Sequence, residues 1–321
     1  MRAKFKNLVV KYWLLFFFIV LFILMTISRI SFNDIWKIIL SLKLWQLSAL
    51  LAVYFLISFF RIISRKYLLY SLYSSCRFKN LALIHFASMA AHYSTPVKIG
   101  FPFAVYLLNR FENIPYPYGT AAILIELTVS TGICGVIAII GGFFYFRQYS
   151  YFLFQILLIA IVLGLIALWG VRHFFRKINK GSRLRKFISD IGDAFSHVAP
   201  NHLILYTSIT VFIQIFSSVN LVLLCYFFSA HLSIGQAVTA GSTAFFVGAM
   251  SMIPMGLGTR DASMLFYLKL FGIASSSGIS IVAIQRLIST GLSYVLGILF
   301  GAVLGLKNVI AENNNGNMKK F

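Results

Sequence analysis

Two apolar segments of this chain, residues 81–108 and 234–271, are each too long for a single membrane crossing, and each is broken near its middle by proline and glycine. The breaks read Pro96-Val97-Lys98-Ile99-Gly100 and Pro254-Met255-Gly256-Leu257-Gly258, with proline and the last glycine four residues apart in both. Proline removes a helical hydrogen bond and biases the residue before it away from the helix, so each segment is predicted as two short helices around an irregular turn. Irregular backbone survives at membrane depth only where protein buries it or where it lines a hydrated cavity. Broken hydrophobic segments at corresponding places in two halves point to a transporter-type site between repeats.

The rest of the chain fits that setting. Of 321 residues, 60% are hydrophobic and 11% charged, the mean hydropathy is +0.89, and no polar stretch is long enough to enclose a core of its own. This is the composition of an all-α polytopic membrane protein. The formal charge of +21 reflects only seven acidic residues, and the basic residues lie between apolar runs. Cytoplasmic loops that follow the positive-inside rule account for them better than nucleic-acid binding. Cys76, Cys134 and Cys225 have no metal-ligand or redox spacing and read as small buried hydrophobes. The basic start followed by the apolar run 12–28 lacks a small-residue cleavage site and reads as an uncleaved first span.

Runs of about 17–25 apolar residues are predicted crossings; they fall at 12–28, 44–60, 118–142, 151–170, 203–228 and 278–306. The basic clusters Arg61 to Lys79 and Arg172 to Lys186 are placed in the cytoplasm, the second inside a basic loop at 171–202. With two spans between those clusters, segment 81–108 must cross an even number of times, as a re-entrant hairpin from the cytoplasmic side. Segment 234–271 then enters and leaves from the opposite side. The expected architecture is about six full transmembrane helices plus two re-entrant helical hairpins in one domain, with a first repeat at 44–142 and a second, inverted, at 203–306. Both termini are expected in the cytoplasm and the protein in a bacterial or archaeal plasma membrane.

Ionisable residues within such segments cost about 2.5–3.5 kcal/mol each on insertion scales and therefore face a cavity or pair with one another. Arg260 and Asp261 follow the second break directly; as neighbours on a helix they do not face each other and need separate partners. Glu126, 26 residues after Gly100, and Gln285 and Arg286, 27 and 28 residues after Gly258, occupy comparable places in the two halves. Glu126 and Arg286 are therefore the expected partners, as a structural ion-pair network or as a substrate-facing cavity. Lys98, inside the first break, could meet an anionic headgroup or snorkel to the interface. His85 and His92 share a helical face without the further ligands a metal would need. The stretch from Arg65 to Lys79, with its tyrosines, reads as an interfacial belt. There is no phosphate-binding G-x-x-x-x-G-K-[ST], no G-x-S-x-G and no H-E-x-x-H, and no cofactor or metal is expected.

Ser94-Thr95-Pro96-Val97-Lys98-Ile99-Gly100 and Ile253-Pro254-Met255-Gly256-Leu257-Gly258-Thr259-Arg260-Asp261 resemble the two signature elements of the lysylphosphatidylglycerol synthase transmembrane, or flippase-like, family. The resemblance extends over nearly the whole chain, including Glu126 and Arg286. It implies movement of a lipid between leaflets, as in the membrane half of the multiple peptide resistance factor, without the aminoacyltransferase half. The family often has Glu where Asp261 stands, an acidic residue near Phe101 and Pro102, and Arg where Leu127 follows Glu126. The two first-half differences remove charge and favour an anionic or neutral lipid over a cationic aminoacyl-lipid.

The expected function is thus a lipid translocator without ATP hydrolysis of its own, not an enzyme. Arg260, Arg286, Lys98 and Gln285 would line the headgroup path, with Glu126 and Asp261 balancing charge. Its partners would be an anionic, aminoacylated or polyprenyl-linked lipid and, besides, a further copy of the chain or a lipid-modifying enzyme. The alternatives are an integral membrane transferase for lipid-linked sugars and a non-transporting subunit of a lipid-modifying complex.

Overall fold

The computed structural model describes residues 42–94, 100–146, 183–251, 253 and 256–318, and every regular element among them is helical. The predicted spans 12–28 and 151–170, the break residues Pro96 and Pro254, and Lys98 lie outside the described residues. The elements are α1 (Leu44–Leu72), α2 (Phe78–Ser94), α3 (Gly100–Glu112), α4 (Tyr116–Tyr145), α5 (Arg183–Ser196), α6 (Pro200–Phe227), α7 (Ile234–Met250), α8 (Thr259–Leu270), α9 (Ser275–Arg286) and α10 (Leu292–Met318). A single π turn, Leu287–Gly291, joins α9 to α10.

Among the described residues, four helices are long and apolar enough to cross a membrane: Leu44–Leu72, Tyr116–Tyr145, Pro200–Phe227 and the continuous Ser275–Gly305. They correspond to predicted spans 44–60, 118–142, 203–228 and 278–306. The largest difference is in α1, which continues three turns past residue 60, through Arg61, Arg65 and Lys66. Those residues are helical and not part of a loop. The reason lies in the helix's own pattern: Leu50, Tyr54, Ser58, Arg65, Leu68 and Leu72 are all buried and recur at helical spacing, so the inward stripe does not stop at the first charge. The predicted basic loop 171–202 likewise contains a helix, α5. Its Phe187, Ile188, Ile191 and Phe195 alternate with Arg185, Lys186, Asp190 and Asp193 at amphipathic spacing.

Element positions recur along the chain. Leu44 and Pro200 open the first long helix of each half, Phe78 and Ile234 open the helix before each break, and Ser94 and Met250 close it. Each pair is separated by the same interval (234 − 78 = 156 residues). Contacts recur too. Helix α2 packs on α3 as α7 packs on α8, and α3 packs on α4 as α8 packs on α9. The helix before each break packs against the last long helix of the other half, α2 on α10 and α7 on α4, while α1 and α6 pack together. One continuous core results, with Leu50, Leu68, Leu81, Ile84, Leu108, Leu221, Leu224, Leu268 and Ile281 among its fully buried members.

Close approach sets both cross-half contacts. On α10, a Cβ at Gly297 would collide with the Phe86 carbonyl and lie 2.5 Å from the Ala90 Cβ of α2. On α4, a Cβ at Gly141 would overlap the Thr239 side chain of α7. The three cysteines are buried and unpaired, as their spacing implied; in the loop after α1, burial pushes the Cys76 thiol up to about 11, with the Glu112 carboxylate adding to the shift.

Gly297→Ala is therefore expected to destabilise the detergent-purified protein by about 1–3 kcal/mol, the usual range for overpacking. Gly132→Ala, where the added Cβ meets nothing within 4 Å, should leave thermal unfolding unchanged or slightly raised.

Candidate functional site

The site is built on the second break. After α7 ends at Met250, the chain turns through Gly256 and Gly258, both at positive φ (60° and 78°), a conformation that favours glycine. The turn is tight. A Cβ on Gly256 would lie 2.9 Å from the Gly248 Cα, and one on Gly248 would lie 2.9 Å from the Arg260 Cβ. Small residues on both sides thus let the turn lie directly on the end of α7. At the first break, Gly100 meets His92 in the same way, the contacting positions being eight apart in sequence in both cases.

Helix α8 starts immediately after the turn, and Asp261 caps it: its Oδ2 accepts from the Gly258 N–H at 3.3 Å. A carboxylate in the first turn also suits the positive end of the helix dipole. Arg286, the last residue of α9, then closes the arrangement. Its Nε donates to Asp261 Oδ1 at 2.6 Å and its Nη2 to Asp261 Oδ2 at 2.9 Å and to the Gly256 carbonyl at 3.2 Å. One guanidinium therefore ties the capping carboxylate and the irregular backbone to the last span. Thr259 and Ser251 bridge the turn from the other side, hydroxyl to hydroxyl at 3.0 Å.

The π turn begins at the next residue. Such a turn re-phases the helix that follows. Arg286 can thus face α8 while Ser293, two turns on, meets α1, where its hydroxyl and that of Tyr54 are 2.6 Å apart and buried.

Between α8 and α9 lies a narrow cleft lined by Arg260, Asp261, Met264, Val282, Gln285, Arg286 and Ser289. Four of the residues singled out from sequence, Arg260, Asp261, Gln285 and Arg286, meet here. Asp261 finds Arg286, as expected. Glu126 does not join them. It accepts from Arg65 of α1 through both carboxylate oxygens, at 3.0 and 2.9 Å, and the pair is well shielded (side chains 27% and 6% exposed). The expected pairing of Glu126 with Arg260 or Asp261 is thus corrected, and Arg65, read from sequence as part of an interfacial belt, is buried against Glu126. The physical reason is the extended α1, which carries Arg65 to α4 before any hairpin residue can reach it.

Sequence reasoning missed Arg65, Tyr54 and Arg61. The signal was present, because residues 54, 58, 61, 65, 68 and 72 continue a single helical stripe across the point where hydropathy falls. Arg260 also interacts electrostatically with Tyr93, at the end of α2, and with Arg61 of α1.

The sequence matches the family described as "Lysylphosphatidylglycerol synthase TM region" over residues 10–297. The chain belongs to that family. It is also similar to the UPF0104 membrane protein MJ1595 of Methanocaldococcus jannaschii, 23% identical over 317 residues that cover 90% of this chain and 93% of the relative. The family match spans both breaks, the first three of the four long apolar helices among the described residues and most of the fourth, so the protein is an integral membrane protein of a lipid-related family.

Asp261→Asn and Arg286→Gln should each destabilise the protein by about 1–3 kcal/mol, since each leaves a shielded charge without its partner. The double variant should lose clearly less than the sum, with a coupling of about 1 kcal/mol or more. Thermal or denaturant unfolding of the four proteins in one detergent measures it; additive losses would show that the pair does not hold the turn.

Proposed function

We propose that the protein translocates a lipid, passing its headgroup through the crevice at the two breaks while the hydrocarbon chains stay in the bilayer. The observation that carries this reading is the cleft at the second break. There an irregular glycine turn, an ion pair and an arginine with no ion pair among the described residues sit among apolar helices. Polar surface inside an apolar bundle is kept either where protein buries and pairs it or where it lines a ligand path, and Arg260, which has no ion pair among the described residues, favours the second.

Helices α2, α3, α7 and α8 have 17, 13, 17 and 12 residues. At 1.5 Å per residue none reaches the roughly 30 Å of a hydrocarbon core. We read each pair as a re-entrant hairpin, and the 156-residue recurrence as two repeats of inverted orientation (234 − 78 = 156). In that arrangement the hairpin of each half is held by the last span of the other, which places the cleft where the halves can move against one another. Cytoplasmic termini and a bacterial or archaeal plasma membrane complete the reading. Movement would follow the lipid gradient or be coupled to potential or protons, with no chemical step on the lipid.

Leaflet exchange of fluorescent anionic, aminoacylated and polyprenyl-phosphate lipids in proteoliposomes tests the proposal. Wild type is expected to move one of these classes at least tenfold faster than empty vesicles, and Arg260→Ala to lose most of that gain with insertion and folding intact. Exchange at the empty-vesicle rate by correctly inserted wild type would overturn it; turnover of a lipid-linked sugar, or activity only with a stoichiometric partner, would replace it.

A further inference from the structure

The two halves carry the same short sequence at the same place and fold it differently. After the breaks, matching helices start 159 residues apart, Gly100 with Thr259 and Tyr116 with Ser275 (259 − 100 = 159; 275 − 116 = 159). At that interval Glu126-Leu127-Thr128-Val129-Ser130-Thr131-Gly132 of α4 falls on Gln285-Arg286-Leu287-Ile288-Ser289-Thr290-Gly291 of the last span. Ser-Thr-Gly is identical and follows a β-branched residue in both, and Gly119 and Ile125 align with Gly278 and Ile284. Burial keeps the same register. Ile125 and Thr131 are buried, as are Ile284 and Thr290, while Thr128 and Leu287 are exposed. Yet Leu287–Gly291 is a π turn, and residues 128–132 are continuous α-helix.

Because the sequences match, local preference does not choose between the two forms; the contacts on either side do. Residues seven apart share a face of a continuous helix, and the extra residue of the π turn sets Arg286 and Ser293 about 100° apart. Arg286 thereby reaches Asp261 of α8 and Ser293 reaches Tyr54 of α1. Two hydroxyls support the turn, Ser289 donating to the Gln285 carbonyl at 2.7 Å and Ser293 to the Ser289 carbonyl at 2.6 Å. In α4 the matching region is left unsatisfied. The Thr131 hydroxyl is buried there without a hydrogen-bond partner, which costs free energy in this form of the chain. A π turn at this point would loosen the ladder and offer it a carbonyl. Room for the change exists, since a Cβ added at Gly132 meets nothing within 4 Å.

We propose that this segment is a switch shared by the two halves: in a second state Leu287–Gly291 closes to α-helix while Thr128–Gly132 of α4 opens to a π turn. The inference rests on reading the halves as inverted repeats of a translocator, in which exchanging the two conformations turns the opening to the opposite leaflet. Closing a π turn re-phases the helix by one residue, about 100° and 1.5 Å. With α10 seated on α2 at Gly297, the rotation falls on α9. It carries Arg286 away from Asp261 and from the Gly256 carbonyl, and so releases the second break. In α4 the same step turns Glu126 against Arg65. One state grips the second break and the other frees it.

Spin-label distances in the full chain, held in lipid nanodiscs, test this without requiring transport. Labels replace Leu124 and Ile140, exposed on α4 on either side of the segment, with Cys76, Cys134 and Cys225 changed to alanine. Around a continuous helix these positions lie about 160° apart; a π turn between them leaves about 60° and shortens their separation by about 5 Å. Wild type is expected to show the longer distance with a shorter minority on the order of 1–10%. Ser293→Ala and Tyr54→Phe each remove the bond that holds the π turn of the last span. Each should enlarge the shorter population of α4 about two- to tenfold, the effect of one hydrogen bond. Deleting Leu287 gives the last span a continuous helix with both ends in their present phase, and should abolish the shorter population. A single longer distance in folded Ser293→Ala and Tyr54→Phe overturns the inference, as does a shorter population that persists in the folded deletion variant. The two substitutions decide the matter alone if the deletion does not fold. If the distances respond as expected while leaflet exchange stays at the empty-vesicle rate, translocation falls and the switch stands; if exchange is robust and the α4 distance stays single in both substitutions, the reverse follows.

Discussion

The turn at the second break depends on the Arg286 guanidinium. A helix interrupted inside a bilayer exposes backbone groups that lipid cannot satisfy. Here one guanidinium engages a carbonyl of the broken segment, at Gly256, and the carboxylate that caps the next helix, at Asp261. The remaining contacts are steric. Gly248 and Gly256 let the turn lie flat on α7, and positive φ at Gly256 and Gly258 reverses the chain within a few residues. Because Arg286 belongs to the last span, the turn cannot shift without moving α9. Turn geometry and the position of α9 are thereby linked through one side chain.

The wider bundle repeats this economy of construction. Each helix before a break is held by the final span of the opposite half, through glycine contacts close enough to exclude a methyl group, Gly297 on α2 and Gly141 on Thr239 of α7. In a membrane, where apolar burial gives helices little reason to associate, close packing of small residues is the main source of attraction. Neither half can complete its core alone. A motion of one half against the other must slide along these two seams and across the α1–α6 contact.

Much of this was legible in the sequence because membrane segments and glycine turns follow local rules. Four spans and the helices flanking both breaks follow from apolar length and from proline and glycine alone. The meeting of Asp261 with Arg286 follows from rare charges at comparable places. What failed was the assumption that a charge ends a span. Arg61 and Arg65 looked like the start of a cytoplasmic loop, although Leu68, Leu69 and Leu72 beyond them are buried in the core. Hydropathy averages over all faces of a helix, whereas burial depends on one face. The 3–4 spacing from Leu50 to Leu72 contained the correct answer, and the average concealed it. The same error sent Glu126 to the wrong partner, since its true partner had already been placed outside the bundle. The π turn after Arg286 had no sequence signature of its own, because it answers two tertiary demands, Asp261 on one side and Tyr54 on the other.

Acid scarcity ties the chain's composition to the electrostatics of its centre. Twenty-eight basic residues share seven acids. In most proteins a buried arginine can find a carboxylate on a neighbouring element; here the two acids nearest the crevice are already committed, one to hold α1 against α4 and one to hold the broken turn. An arginine placed on an inward face, such as Arg260 at the cleft, therefore adds positive charge that no carboxylate among the described residues pairs. Loops with the same excess can dissipate it in water and against anionic headgroups. Inside the bundle the low dielectric magnifies it, and the only mobile species able to neutralise it are anions entering from the aqueous or interfacial side. The pairing of Glu126 with Arg65 and of Asp261 with Arg286 thus leaves Arg260 without an ion pair among the described residues. Adding an acid beside it would be expected to strengthen the bundle while cancelling the cleft's excess charge, so stability and the electrostatics of the cleft draw on the same few residues.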